Sequence, residues 1–134
     1  MDLCLSRRRL LAAAGLGAVT LAACGGGGEV PRLTGVGPGD VVAPLAEVPL
    51  AGAYEVSLDG RRVLVCRPAE DTVVAFDARC THQGCTVRAT DAGLVCPCHG
   101  SVFDLADGAA VHGPATRPLA PVGVAVRGTD VVLT

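Results

Sequence analysis

The densest chemical signal in the chain is a run of 22 residues, 80–101, which contains four cysteines and two histidines. They fall into two groups, Cys80-Thr-His82-Gln-Gly-Cys85 and Cys96-Pro-Cys98-His99-Gly-Ser101. Thiolates and imidazoles suit iron and zinc, and neither group contains a carboxylate, so metals that prefer oxygen ligands are disfavoured. The run predicts a metal site, and the fold must bring two short loops together around it.

Three kinds of site are compatible with these residues: an iron–sulfur centre, a zinc site and a disulfide scaffold without metal. Zinc knuckles usually place two residues between paired ligands, whereas only Thr81 separates Cys80 from His82. A zinc site of four ligands also leaves two cysteines without a role. The spacing therefore favours iron–sulfur over zinc, and both over a bare disulfide scaffold.

The two groups resemble the cluster-binding loops of Rieske iron–sulfur proteins, and the resemblance covers residues 41–134. It implies one [2Fe-2S] cluster held by Cys80, His82, Cys96 and His99, because Rieske centres use two thiolates and two imidazoles. It also implies a disulfide between Cys85 and Cys98, as in the high-potential members of the family. With neutral imidazoles the oxidised cluster carries no net charge, so we expect a reduction potential in the Rieske range, roughly −150 to +300 mV.

The resemblance extends to residues that tune or cover the cluster. It implies that the Ser101 hydroxyl donates a hydrogen bond to a bridging sulfide, which would raise the potential. High-potential relatives have a tyrosine where this chain has Phe103, so one hydrogen bond to a ligand sulfur is missing and a somewhat lower potential is expected. Gly113-Pro114-Ala115 is similar to the proline loop that covers the cluster, with Pro114 as its rigid residue.

The first 24 residues indicate where the protein is located. Residues 6–11, Ser-Arg-Arg-Arg-Leu-Leu, resemble the twin-arginine export signature, and the apolar run of twelve at 10–21 is shorter than the roughly twenty residues of a membrane span. Residues 21–24 match a bacterial lipobox ending at Cys24, which would be lipidated. We expect a signal peptide over 1–24 and an exported protein, anchored by lipid to the outer face of the cytoplasmic membrane.

Beyond the signal, the sequence predicts a Gly- and Pro-rich flexible linker over residues 25–40 and one domain over 41–134. The total of 11 basic and 13 acidic residues includes three arginines and one aspartate before Cys24, which leaves eight and twelve afterwards, or about −4. A nucleic-acid partner is not indicated. The domain is predicted to be all-β, a Rieske-type β-sandwich with two cluster-binding loops, with strands at 41–48, 54–58, 63–66, 73–76, 87–88, 94–96, 122–126 and 131–133.

No nucleophile with an adjacent base is evident, so the chain is expected to transfer single electrons rather than to have its own catalytic site. By resemblance it would be the iron–sulfur subunit of a quinol-oxidising cytochrome bc-type complex, with cytochrome b or c as partners and His82 and His99 taking up protons with electrons. Three alternatives stay open. They are a free-standing exported carrier for another oxidoreductase, a zinc-stabilised binding module, and an oxygenase ferredoxin, which the cysteine pair Cys85 and Cys98 disfavours.

Overall fold

The computed structural model describes residues 28–134, which form twelve β-strands and one short 3₁₀ helix. No helix in this part of the chain is long and apolar enough to cross a membrane. The strands are β1 Arg32–Leu33, β2 Val41–Pro44, β3 Gly52–Leu58, β4 Arg61–Ala69, β5 Thr72–Asp77, β6 Arg88–Thr90, β7 Gly93–Val95, β8 Val102–Phe103, β9 Ala110–His112, β10 Pro121–Val122, β11 Val124–Arg127 and β12 Asp130–Leu133, and the helix is Leu45–Glu47.

A five-stranded sheet in the order β1-β3-β4-β5-β10 forms the middle of the molecule. Its β3–β4 hairpin turns at Asp59 and Gly60, whose φ angles of 48° and 83° are the positive values that a type I′ turn requires. Strand β4 is buried on both faces over Val63 to Cys66, which explains why its sequence is a continuous apolar run.

Each face of this sheet covers a separate hydrophobic core. Val63 and Val65 point to a core shared with the three-stranded sheet β11-β12-β2, which includes Val42 and Val131. We call this the base core. Leu64 and Cys66 point to the opposite face and join a second core, whose other buried members are Phe76, Ala78, Cys80, Val87, Leu94, Cys96, Phe103, Ala115 and Leu119. This second group, the cluster-side core, lies under the four-stranded sheet β6-β7-β8-β9.

Two residues of the segment before Val41 form a strand of the central sheet. Strand β1 pairs in parallel with β3, and the carbonyl groups of Pro31 and Leu33 accept hydrogen bonds from the N–H groups of Ser57 and Asp59 at 2.8 Å each. The flexible linker predicted over 25–40 is therefore wrong from Pro31 onward, because backbone pairing holds the chain where Gly and Pro hide any strand periodicity. Residues 25–27 lie outside the described part of the chain.

The all-β fold class is confirmed, with local corrections. The strand predicted over 41–48 ends at Pro44, and the 3₁₀ helix replaces its second half. Strands β1, β8 and β9, which have two, two and three residues, are not among the strands predicted from the sequence. The strands predicted over 87–88 and 94–96 correspond to β6 and β7, which pair as a hairpin with one cysteine loop before it and another after it.

Glu55 joins the hairpin to the central sheet. Its Oε2 accepts hydrogen bonds from Arg62 at 2.9 Å and from Arg88 at 3.4 Å, and its Oε1 accepts one from the Ala89 N–H at 3.3 Å. One half-buried carboxylate thus connects β3, β4 and β6, and it fixes the orientation of the cysteine loops relative to the base.

Candidate metal centre

The two cysteine loops have the same backbone closure. In the first loop, Cys80 N–H donates to the Cys85 carbonyl at 2.8 Å and Gly84 N–H donates to the Cys80 carbonyl at 2.9 Å. In the second, Cys96 donates to Ser101 at 2.8 Å and Gly100 to Cys96 at 2.9 Å. Gly84 of the first loop and Gly100 of the second have φ angles of +78° and +76°, a conformation that other residues adopt at a cost. The sequence thus builds two equivalent frames, each presenting one cysteine from its first position.

A third loop closes in the same way without any metal-ligand cysteine or histidine. Asp104 N–H donates to the Ala109 carbonyl at 2.9 Å, and Gly108 N–H donates to the Asp104 carbonyl at 3.0 Å. Gly108 again has a positive φ, of 70°. The backbone frame is therefore independent of the side chains it carries.

The first-position cysteines point inward and the histidines point outward. Cys80 and Cys96 are 3% and 1% exposed, and neither forms a disulfide. His82 and His99 are exposed, with ring centroids 4.9 Å apart and ring planes at 88° to each other. The possible metal ligands are therefore divided between the interior, which holds two buried thiols, and the surface, which holds two adjacent imidazoles.

Cys85 and Cys98 form the predicted disulfide, which connects the two loops. The Sγ atoms of Cys85, Cys96 and Cys98 all lie within 4.8 Å of one another. Only Cys96 of these three can supply a thiolate, because the other two sulfurs are bonded to each other. The three sulfurs are therefore not a separate metal site, and the disulfide is a neighbour of the Cys96 thiol.

The thiols of Cys80 and Cys96 are close enough to affect each other. Burial raises the pKa of Cys96, and the Cys80 thiol beside it raises that pKa further, while backbone hydrogen bonds from residues 98 and 99 lower it. Each hydrogen bond that favours the Cys96 thiolate is also one that stabilises a metal-bound sulfur. The cost of burying two thiolates together would be offset by a metal cation between them.

Cys66 is the remaining free cysteine among residues 28–134. It is fully buried in the cluster-side core, and burial raises its pKa to about 12. A thiol in such a position remains protonated and behaves as a small apolar side chain.

The tuning residues singled out in the sequence lie where the loops meet the proline loop. Ser101 is fully buried, and its Oγ accepts a hydrogen bond from the Ala115 N–H at 3.0 Å. Its hydroxyl hydrogen remains available to donate, as the predicted bond to a sulfide requires. Phe103 is 1% exposed in the cluster-side core, and Pro114 is exposed next to the buried Ala115.

A contact between Thr81, in the first loop, and Arg117 is not predicted from the sequence. Thr81 Oγ1 donates a hydrogen bond to the Arg117 carbonyl at 2.8 Å, and the Arg117 guanidinium donates to the Thr81 carbonyl at 3.2 Å. These two residues are 36 positions apart, so no local pattern could connect them. The pair joins the first cysteine loop to the chain that follows the proline loop.

Cys24, the predicted site of lipidation, lies outside the described residues.

Most of the described chain matches the model of one known protein family. The family model for the Rieske [2Fe-2S] domain matches residues 40–131. Among curated proteins, carotenoid phi-ring synthase of Chlorobaculum tepidum is 40% identical over 108 residues, which are 76% of this chain and 16% of that protein. Cytochrome b6-f complex iron-sulfur subunit 3 of Nostoc sp. is 35% identical over 94 residues, 67% of this chain and 52% of the subunit.

The cytochrome bc1 complex Rieske iron-sulfur subunit of Streptomyces lividans is 40% identical over 63 residues, 44% of this chain and 37% of the subunit. The chain thus spans about half or less of the length of these curated relatives. Among solved structures, the plasma membrane Rieske protein PetC3 from Synechocystis PCC 6803 has a TM-score of 0.60 and 27% identity, covering 71% of this chain and 98% of that one. The ferredoxin of carbazole 1,9a-dioxygenase from Nocardioides aromaticivorans IC177 has a TM-score of 0.56 and 27% identity, covering 71% and 95%.

Proposed function

The chain belongs to the Rieske [2Fe-2S] family, and from that premise we propose that it transfers single electrons as the iron–sulfur subunit of a quinol-oxidising cytochrome bc-type complex. The family implies one [2Fe-2S] cluster, which accepts and returns one electron when bound. The observation that carries the proposal is the division of the donor set, with buried thiols and exposed imidazoles on two equivalent loops.

We propose that Cys80 and Cys96 would hold the cluster through two thiolates, and His82 and His99 through two imidazoles. The donor set fits the cofactor, because the free thiols are buried side by side and the imidazole rings are adjacent. The exposed imidazole edges would give a partner a short path for the electron and a site for a proton. The buried thiols would exclude water from the sulfur side of the site.

The relatives named as subunits of b6-f and bc1 complexes support the choice of a bc-type complex. The disulfide supports it as well, because this feature goes with the high-potential type that the sequence resembles. A quinol releases electrons and protons when it is oxidised, so its acceptor must take up both. The two exposed histidines are the groups proposed to take up the proton.

A redox titration at several pH values, followed by electron paramagnetic resonance, tests this function on the iron-loaded full-length protein. We expect a Rieske spectrum and a high potential that falls as pH rises, because the reduced protein would bind protons at the ligand imidazoles. A low potential that does not change with pH near neutrality would refute the assignment to quinol oxidation. Metal analysis of the protein as purified, before any iron is added, tests the alternative, because zinc without iron would favour the zinc-stabilised binding module.

Replacing one ligand at a time tests the ligand assignment itself. His82→Ala and His99→Ala should each abolish the Rieske spectrum, because each removes one of two imidazoles. His112→Ala is the matched control, since this exposed histidine at the end of β9 is not assigned as a ligand. A Rieske spectrum that persisted in either ligand variant would show that the assignment of that residue is wrong.

A free-standing exported carrier that serves another oxidoreductase is the second candidate. It is supported by solved chains that consist almost entirely of the matched region, since the alignments cover 98% and 95% of them. Copurification from a membrane extract distinguishes the two candidates. Recovery with cytochrome b supports the complex, and recovery as a single redox protein supports the carrier.

We also propose that the protein is exported with a twin-arginine signal and anchored to the outer face of the cytoplasmic membrane through lipid on Cys24. The support is the sequence of residues 6–24 alone. In the native host, Cys24→Ser should abolish incorporation of a labelled fatty acid into the protein. Mass spectrometry of the wild-type N-terminal peptide should find a diacylglyceryl group, and an unmodified peptide would contradict the anchor.

A further inference from the structure

An open cavity of about 470 Å³ lies directly beside His82. The proposed ligand loop forms one wall through Thr81, His82, Gln83 and Gly84, and the other walls are formed by Asp77, Arg79 and Arg117. The cavity is therefore adjacent to one of the two imidazoles through which electrons would leave the protein.

Two guanidinium groups give this cavity a positive charge. Arg79 and Arg117 are both exposed, and neither takes part in an ion pair within residues 28–134. Asp77 also lines the cavity, but both of its carboxylate oxygens are already engaged. Oδ2 accepts from Arg61 at 2.6 Å, and Oδ1 accepts from the Arg79 N–H at 3.0 Å.

Arg79 and Arg117 are both held close to the first cysteine loop, residues 80–85. The Arg79 side chain lies over Gly84, where an added Cβ would come within 3.2 Å of the Arg79 Nε. Arg117 is held by the two hydrogen bonds that it exchanges with Thr81. Their charges are therefore positioned next to His82 before any partner arrives.

We infer that this cavity is the docking site for carboxylate side chains on an acidic redox partner, an inference that rests on the proposed electron-transfer function. The chain after Cys24 has a net charge of about −4 and would repel an acidic protein as a whole. Arg79 and Arg117 supply local complementary charge where contact is needed. Charge complementarity of this kind raises association rates and selects orientation.

Stopped-flow oxidation of the reduced, iron-loaded full-length protein tests the docking site. The probe is an acidic c-type cytochrome, with a basic c-type cytochrome as counter-probe; one electron leaves the protein and reduces one ferric haem, and no bond is formed. At low salt, Arg79→Gln and Arg117→Gln should each slow the acidic cytochrome about threefold, and together about tenfold. The effect should shrink as ionic strength rises.

Three controls separate charge from structure. Arg127→Gln removes an exposed arginine at the end of β11, in the three-stranded sheet, and should leave the rate unchanged. Arg117→Lys retains the charge and should restore most of the rate. With the basic cytochrome, loss of either cavity arginine should not slow the reaction. Rates in the cavity variants that match Arg127→Gln would overturn the docking site.

The proposed function and the docking site fail in different ways. Absence of a Rieske spectrum in the wild type would refute the function. A normal spectrum and potential in every variant, with no charge-dependent change in rate, would refute the docking site alone. Saturable binding of succinate by calorimetry, with unchanged cytochrome rates in the variants, would assign the cavity to a small anion and would also overturn the docking site.

Discussion

At the scale of single residues, Ser101 serves two neighbours at once. Its buried oxygen accepts the Ala115 N–H, so the hydroxyl holds the proline loop in addition to its proposed hydrogen bond to a sulfide. Ser101→Ala would leave a buried N–H without an acceptor, which costs about 1–3 kcal/mol. We expect a lower free energy of unfolding and a lower midpoint potential, measured by urea denaturation and by redox titration.

Thr116→Ala is the control for Ser101, because Thr116 is an exposed residue that directly follows the proline loop. It should change neither quantity. If Ser101→Ala lowered stability but left the potential unchanged, the hydroxyl would be a structural group and the proposed bond to a sulfide would be excluded.

Gly108 is required for two separate reasons. Its φ of 70° disfavours any other residue, and an added Cβ would lie 2.8 Å from Cε1 and 2.9 Å from Cδ1 of the Phe76 ring. Gly128→Ala is a matched control, since Gly128 has a φ of 61° but open space around it. We expect Gly128→Ala to cost about 1 kcal/mol and Gly108→Ala a further 1–3 kcal/mol or so, by urea denaturation. Equal costs would show that Phe76 moves aside freely.

At the scale of elements, the disulfide joins two loops that are otherwise connected through the hairpin β6–β7. Cys85→Ser combined with Cys98→Ser should lower the free energy of unfolding by about 2–4 kcal/mol, because the unfolded chain loses a constraint. Urea denaturation of iron-loaded proteins with equal iron content measures this. An unchanged midpoint would mean that the bridge does not stabilise the fold.

The sequence predicts those elements that are marked by residues close together in the chain. The six cysteines and histidines of residues 80–101 are readable because both loops are short, and β4 is readable because burial on both faces makes it apolar throughout. Strands β1, β8 and β9 have two or three residues each, too few to show a period. Strands β6 and β7 are as short, but the turn residues Asp-Ala-Gly at 91–93 mark the hairpin between them. The bonds of Ser101 to Ala115 and of Thr81 to Arg117 cross 14 and 36 residues, so only the fold reveals them.

At the scale of the whole molecule, the two cores should respond differently to removal of the metal. Cys80 and Cys96 belong to the cluster-side core, whereas the base core contains none of the proposed ligands. In the iron-free protein, amide hydrogen exchange of residues 80–101 should accelerate about tenfold or more, while the peptides of β3 and β12 change little. Mass spectrometry of the iron-loaded and iron-free forms measures this. A uniform increase in both regions would show that the molecule unfolds as one unit.

The position of the Cys96 sulfur, within 4.8 Å of both sulfurs of the disulfide, has a consequence for the order of maturation. A free thiolate so close to a disulfide can attack it and exchange partners, which would leave Cys96 bridged and either Cys85 or Cys98 free. If Cys96 is an iron ligand, as proposed, its bond to iron would block this exchange. The proposed ligand set therefore implies that iron should be loaded before the cysteine pair is oxidised, because a chain oxidised first could be trapped with the wrong bridge.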